Sequence, residues 1–143
     1  MPLLRSINKK VGGPVALVHF DAHLDTWDTY FGAPYTHGTP FRRAREEKLF
    51  LDDASMHIGI RGPLYSTNDL KNDRELGFKT IHCDEFQTNT IDQIVKRIKD
   101  RMNKGTWTLS LSGSLTNGNA ASQLKLTDDS KYNKAQFTVA GPR

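Results

Sequence analysis

The run Val15-Ala16-Leu17-Val18-His19-Phe20, leading into Asp21-Ala22-His23-Leu24-Asp25-Thr26-Trp27, constrains this chain more than any other stretch. A short, β-branched apolar run predicts a strand buried on both faces, as strands of parallel sheets are. It ends in two carboxylates and an imidazole at i, i+2 and i+4. On extended chain, residues at even spacing point the same way, so Asp21, His23 and Asp25 are expected to face one spot just past the strand end. Such groups repel or dehydrate one another unless a cation neutralises them. Two carboxylate oxygens and a neutral nitrogen, with no thiolate, suit Mn²⁺ or Mg²⁺ better than zinc. Open α/β sheets bind their ligands beyond the carboxyl ends of the strands, where these groups sit. The same letters also fit an N-capping Asp with solvated neighbours in a strand-to-helix turn.

The rest of the chain alternates in period. Leu3 to Lys10 reads as a short amphipathic helix closed by Gly12-Gly13. After the Val15–Phe20 strand, a polar and aromatic loop runs from Asp21 to about Thr36. Long loops in compact domains tend to be functional, and Trp27, Tyr30, Phe31 and Tyr35 either wall a pocket there or pack as ordinary loop residues. Thr39 is placed to N-cap a helix with Pro40 at its first position, running to about Lys48. Ser55 to Ile60 predicts the next strand, ended by Arg61-Gly62-Pro63. Ser66 and Asp69 form a capping-box-like start to a helix that Gly77 closes. Phe78 to His82 is a third strand. Asn89 is placed to cap a helix whose stripe is Ile91, Ile94, Val95, Ile98 and Met102, and Trp107 to Leu111 is a fourth strand. Strands alternating with helices of this length imply βαβ units, hence an α/β fold with a parallel sheet and flanking helices.

Residues 1–111 hold this pattern, and 112–143 do not. From Ser112 the chain is rich in Gly, Ser, Thr, Asn and Lys, with little apolar surface to offset ordering entropy, so a divergent, poorly ordered polar tail is expected. Gly113 to Gly118 imitates the start of a phosphate loop, but Asn119-Ala120 stands where Lys and Ser/Thr are needed, which rejects that motif. The net charge of +4 is spread, with Arg42, Arg43 and Arg45 followed by Glu46 and Glu47. No aromatic-interleaved basic strip marks a nucleic-acid surface. No apolar run approaches the ~18 residues of a membrane span, so neither nucleic acid nor membrane is an expected partner. Cys83 is the single cysteine, which excludes an internal disulfide, fits a reducing compartment and reads as a small buried thiol at a strand end. A cytoplasmic location is the expectation. The acid-free first twenty residues with Arg5, Lys9 and Lys10 keep a mitochondrial one open.

Twelve residues after Asp25 stands His37-Gly38-Thr39-Pro40-Phe41. Combined with Val18-His19-Phe20-Asp21-Ala22-His23-Leu24-Asp25-Thr26, it resembles the ureohydrolase (arginase and agmatinase) family, and most of all its agmatinase and guanidinobutyrase branch, over about residues 2–111. The resemblance implies an arginase-like three-layer fold, incomplete here. It also implies hydrolysis of a linear guanidino compound such as agmatine to urea and an amine, by a hydroxide held between two Mn²⁺ ions, and so a place in polyamine metabolism and putrescine biosynthesis. By the same resemblance Asp21 bridges the metals, His23 ligates one, Asp25 ligates the other, and His37 shuttles a proton to the departing amine. Read by itself, His37 also fits a solvated flank at a helix N-terminus. His19, His57 and His82 read as packing or hydrogen-bonding residues. A homo-oligomer is the family habit.

Two departures stand beside the resemblance. The family's Gly-Gly-Asp-His element, which carries a further His ligand, is expected upstream of the first helix. Ser112 and Ser114 occupy the positions of the family's Asp-x-Asp. Half of the family's metal ligands are then present, and at most one ion is expected to bind well. The leading expectation is an agmatinase-like hydrolase whose site is incomplete in this chain, leaving the chain alone inactive. The alternatives are a truncated, non-catalytic ureohydrolase-like protein, or another amidino or acetyl-amide hydrolase on the same fold.

Overall fold

The computed structural model describes residues 1–102 and, as backbone, the strand Trp107–Leu111. The expectations placed on residues 112–143, including the Ser112 and Ser114 pair, lie outside the described residues.

Among the described residues, β1 (Ala16–Phe20), β2 (Ser55–Ile60), β3 (Phe78–His82) and β4 (Trp107–Leu111) form one sheet in the order β3-β2-β1-β4. All its pairings are parallel. The helix α1 (Pro2–Val11) precedes β1, and the connections carry α2 (Pro40–Glu46), α3 (Asp69–Glu75), α4 (Glu85–Thr88) and α5 (Ile91–Met102). The chain steps outward from β1 to β3 and then returns to the far side of β1. The carboxyl end of β1 is therefore where strand order reverses, the position at which open α/β sheets bind ligands.

The sequence pattern accounts for the layers. Ala16, Leu17, Val18 and His19 are all fully buried, as a central strand between two helical layers must be. One face joins Ala16, Val18, Met56, Ile58 and Ile81 to Ile94, Ile98 and Met102 of α5. The other joins Val15, Leu17, Phe50 and Phe78 to Leu4 of α1 and to Phe41 and Ala44 of α2. Of the apolar stripe expected in α5, Ile94, Ile98 and Met102 meet the sheet, whereas Ile91 stands 62% exposed in the first turn.

The strands fall within a residue of their expected bounds, and the helix ends differ more. Gly12 closes α1 as expected, with φ at 79° and its N–H donating to the Asn8 carbonyl at 2.9 Å. Thr39 precedes α2, but its hydroxyl accepts from the Thr36 N–H at 2.9 Å and so does not cap the helix. That helix ends at Glu46, short of Lys48, which takes a left-handed φ of 56°. The helix α3 starts at Asp69, while the Asp69 carboxylate accepts from the Ser66 N–H at 3.1 Å, so half of the expected capping box forms. Asn89 ends the unexpected α4 and does not cap α5. Thr90 and Gln93 supply that cap reciprocally: Thr90 N–H donates to Gln93 Oε1 at 2.7 Å, and Gln93 N–H to Thr90 Oγ1 at 3.3 Å. Cys83 lies just past β3 and is half-buried, more open than expected.

Candidate metal centre

β1 stops at Phe20, and the chain bends at once through Asp21, Ala22 and His23. Asp21 N–H still donates to the Ile58 carbonyl at 3.1 Å, continuing the ladder by one residue. The carbonyl of Ala22 then accepts from both Arg61 N–H (3.0 Å) and Gly62 N–H (2.7 Å), which pins the bend to the end of β2. Asp21 Oδ1 accepts from the His23 N–H at 2.8 Å, an Asx-type turn. Asp25 follows with a left-handed φ of 56°. The expectation of an extended chain carrying Asp21, His23 and Asp25 along one side is therefore corrected. A turn brings the carboxylates together, because the carboxylate of Asp21 binds its own backbone and the β2 end holds the peptide between them.

The residues that converge are His19, Asp21 and Asp25. Each offers a ligating atom within 4.8 Å of the others. His19 Nε2 lies 3.7 Å from Asp21 Oδ2. His19, expected to pack or hydrogen-bond, does hydrogen-bond to His57, and it also faces the carboxylates. The signal for it was in the sequence: it stands two residues before Asp21, on the same strand face. His23 Nδ1 approaches Asp21 Oδ1 at 3.3 Å, but its side chain is 46% exposed and it falls outside the tight group. Its ring lies on Gly62, where an added Cβ would come within 2.3 Å of His23 Cδ2. His37 is exposed, with its ring edge-on to Tyr30 at 4.7 Å. His82 donates its backbone N–H to Glu85 Oε1 at 2.8 Å, in keeping with a hydrogen-bonding role.

The electrostatics set two carboxylates and an imidazole against one another. Burial, reinforced by the Asp21 charge, pushes the Asp25 carboxyl up to about 6, against the opposing pull of His23, His57 and His37. Burial also drives the His19 imidazole down to about 3, helped by His57 and His23 and opposed by Asp21. A neutral imidazole beside two carboxylates that repel each other fits a divalent ion. Ligands about 2.2 Å from one ion stand at most about 4.4 Å apart, close to the 4.8 Å within which these atoms lie.

The aromatic loop divides in two. Trp27 stacks on Tyr30 at 5.2 Å and tilts against Tyr65 at 4.7 Å. Asp69 Oδ2 ties this cluster down, accepting from Trp27 Nε1–H at 2.9 Å and Tyr65 N–H at 2.8 Å. Phe31 and Tyr35 are exposed. Thr26, Trp27, Phe31, Arg42 and Tyr65 help line a cleft of about 650 Å³, which is therefore partly walled by the expected aromatics. Asp21 and Asp25 do not line it; they converge with His19 at the strand end instead.

A doubly wound parallel α/β sheet with a carboxylate and imidazole cluster at its switch point defines the class of molecule. The arginase family model matches residues 1–112. A putative agmatinase of Schizosaccharomyces pombe is 41% identical over 118 residues, covering 78% of this chain and 30% of that protein. A guanidinopropionase of Pseudomonas aeruginosa is 51% identical over 87 residues, covering 60% of this chain and 27% of that one. The solved proclavaminate amidino hydrolase of Streptomyces clavuligerus superposes with a TM-score of 0.67 at 34% identity, over 76% of this chain and 36% of its own. The chain belongs to the arginase family and has the arginase-like fold. It spans about a third or less of the length of these relatives.

Proposed function

We propose that this chain carries the metal-binding core of a hydrolase acting on the C–N bond of a linear guanidino compound, agmatine or guanidinobutyrate, and releasing urea and an amine. The observation that carries the reading is the meeting of Asp21 and Asp25 with His19 at the carboxyl end of β1, with His23 alongside. The names of the similar proteins, agmatinase and guanidinopropionase, support the substrate class.

Asp21, Asp25 and His23 would hold Mn²⁺, since oxygen and imidazole donors without thiolate suit it. Bound divalent ions supply water activation and stabilise charge developing at the guanidino carbon. The chain's own groups do the rest. Asp21 is oriented by accepting the His23 N–H, so its carboxylate is set before any ligand arrives. His37, exposed and edge-on to Tyr30, would pass a proton to the departing amine, a task suited to an imidazole near neutral pH.

Ser112 and Ser114 favour a second reading for the isolated chain, because neutral hydroxyls bring no negative charge to the ions. This chain alone is expected to bind Mn²⁺ weakly and to release no urea. Calorimetric titration with Mn²⁺ and a urea assay on agmatine and guanidinobutyrate test both readings. Tight binding of two ions with turnover would overturn the incomplete-site reading, and absence of any Mn²⁺ binding would overturn the metal centre.

A further inference from the structure

Two carboxylates outside the metal centre lie buried on one face of α3. Asp69 and Asp73 stand one helical turn apart. Neither has a Lys or Arg ion-pair partner among the described residues. Burying a carboxylate without a cation is costly unless its oxygens accept hydrogen bonds. Here those bonds reach consecutive residues of the loop that leaves Asp25. Thr26 Oγ1 donates to Asp73 Oδ1 at 2.9 Å, and Trp27 Nε1–H donates to Asp69 Oδ2 at 2.9 Å. Asp73 also accepts from Thr80 Oγ1 at 3.2 Å and faces His57 Nε2 at 3.2 Å. Asp69 also accepts from the backbone N–H groups of Tyr65 and Ser66.

The loop needs such fastening because of the conformation at Asp25. Its φ of 56° is one that a residue with a Cβ adopts at a cost, and only where the surroundings over-determine it. Before Asp25, the Ala22 carbonyl pins the chain to the end of β2. After it, the Thr26 hydroxyl and the Trp27 indole reach α3, and Trp27 N–H donates to the Gly38 carbonyl at 3.1 Å. The Asp25 carbonyl itself accepts from Phe41 N–H at 3.1 Å. Asp25 is thus held from both sides, and α3 supplies the side-chain restraints on the two residues that follow it. A backbone released at Thr26 would relax out of the left-handed region and carry the Asp25 carboxylate away from Asp21.

We propose that Asp73 and Asp69 are positioning residues: through Thr26 and Trp27 they fix the left-handed turn that presents Asp25 to a divalent cation beside Asp21 and His23. The inference rests on the metal-centre reading above. It gives a use to two buried acids more than forty residues along the chain from the groups they hold.

The test uses the full chain and two measurements: calorimetry with Mn²⁺ alone, and hydrogen exchange of single amides in the metal-free chain. Thr26→Val keeps the side-chain shape, removes the hydroxyl and leaves the other contacts of Asp73 in place. It is expected to speed exchange at the Trp27 and Phe41 amides while those of α5 stay protected. The Mn²⁺ dissociation constant should rise about tenfold or more, the usual effect of losing support behind a ligand. Thr26→Ser, which keeps a hydroxyl, should behave like the parent in both measurements. Trp27→Phe, which keeps a ring but loses the indole N–H, should move both in the direction of Thr26→Val. Unchanged Mn²⁺ affinity in Thr26→Val, with or without faster exchange, would overturn the inference and leave the metal centre standing. Protection lost equally across α5 would show a merely structural role and overturn it too. An unmodified chain that binds no Mn²⁺ would overturn the metal-centre reading and this inference with it. An unaffected Trp27→Phe would strike Asp69 from the assignment. Should Thr26→Val not fold, Trp27→Phe decides by the same readouts, an unaffected chain then overturning the whole.

Discussion

The two faces of the sheet differ in what their buried side chains are for. Under α5, the contacts of Ala16, Val18, Met56, Ile58 and Ile81 with Ile94, Ile98 and Met102 are apolar throughout. On the other face, Leu17 and Phe78 begin an equally apolar layer, but the next inward positions are His19 and His57, backed by Asp73. One strand supplies both: Val18 points into the first layer and His19 toward the second. Alternation along a strand thus lets a segment hold the fold with one set of residues and carry polar chemistry with the other. The buried imidazoles and Asp73 thus lie on the α2 and α3 side of the sheet.

Substitutions on the two faces should therefore separate stability from metal binding. The largest effect is expected from Ile98→Ala, which opens a cavity in the apolar layer. It should cost about 2–5 kcal/mol by denaturant unfolding while leaving Mn²⁺ affinity of the folded chain unchanged. A matching loss of affinity would show that the faces are not independent.

Asp25→Asn should act the opposite way. The Asp25 carboxyl is held up at about 6, so the folded chain binds more protons than the unfolded one between the ordinary carboxylate value and about pH 6. Stability of the metal-free chain from this group therefore falls as pH rises through that window. The variant lacks the penalty. Without metal it should melt higher than the parent at pH 7, and the gap should close as pH drops below about 6. His19, held down at about 3, contributes a trend of opposite sign in both proteins and cancels from the difference. Thermal melts at pH 7 and pH 4.5 check this, and a gap that widens on acidification would contradict it. With Mn²⁺ present the order should reverse, because the variant loses a ligand.

Gly62→Ala probes the seam between the β2 end and the metal-site turn. Its Cβ would meet the His23 ring at 2.3 Å and the Ala22 carbonyl at 2.9 Å. The ring can swing away but the backbone cannot, so about 1–3 kcal/mol of destabilisation is expected, together with weaker Mn²⁺ binding by calorimetry. Unchanged binding would mean that His23 does not contribute to the site. The smallest effect belongs to the solvent side of α5. Lys96→Ala breaks the exposed pair with Asp100 at 2.6 Å and should cost no more than about 0.3–0.5 kcal/mol.

Much of the fold was legible because local pattern and tertiary role agree. The β-branched run of β1 and Ile94, Ile98 and Met102 of α5 were readable as buried positions, although Ile91 of the same stripe stands exposed. Helix starts were less legible. Thr39 and Asn89 have the right chemistry for caps, yet Thr39 bonds back to Thr36 and the Asn89 amide donates to the Glu85 carbonyl of α4, because several nearby polar groups compete for one short side chain. At the site, Asp21 and Asp25 were readable from their spacing, although the reason they meet is the Asx turn and the left-handed Asp25.

The sequence by itself determined the order of the four strands and of the helices other than α4, and the acid-rich strand end. Its combination of Asp21-Ala22-His23-Leu24-Asp25 with His37-Gly38-Thr39-Pro40-Phe41 also pointed to the family that residues 1–112 match. Only the tertiary structure decided which histidine faces the carboxylates. His19 and His57 are thirty-eight residues apart and Asp73 lies further on, so their chain exists only through the β1–β2 register and the docking of α3. Strand register is a non-local property, set by packing both faces of the sheet at once, and a one-residue slip would have turned each imidazole to the other side.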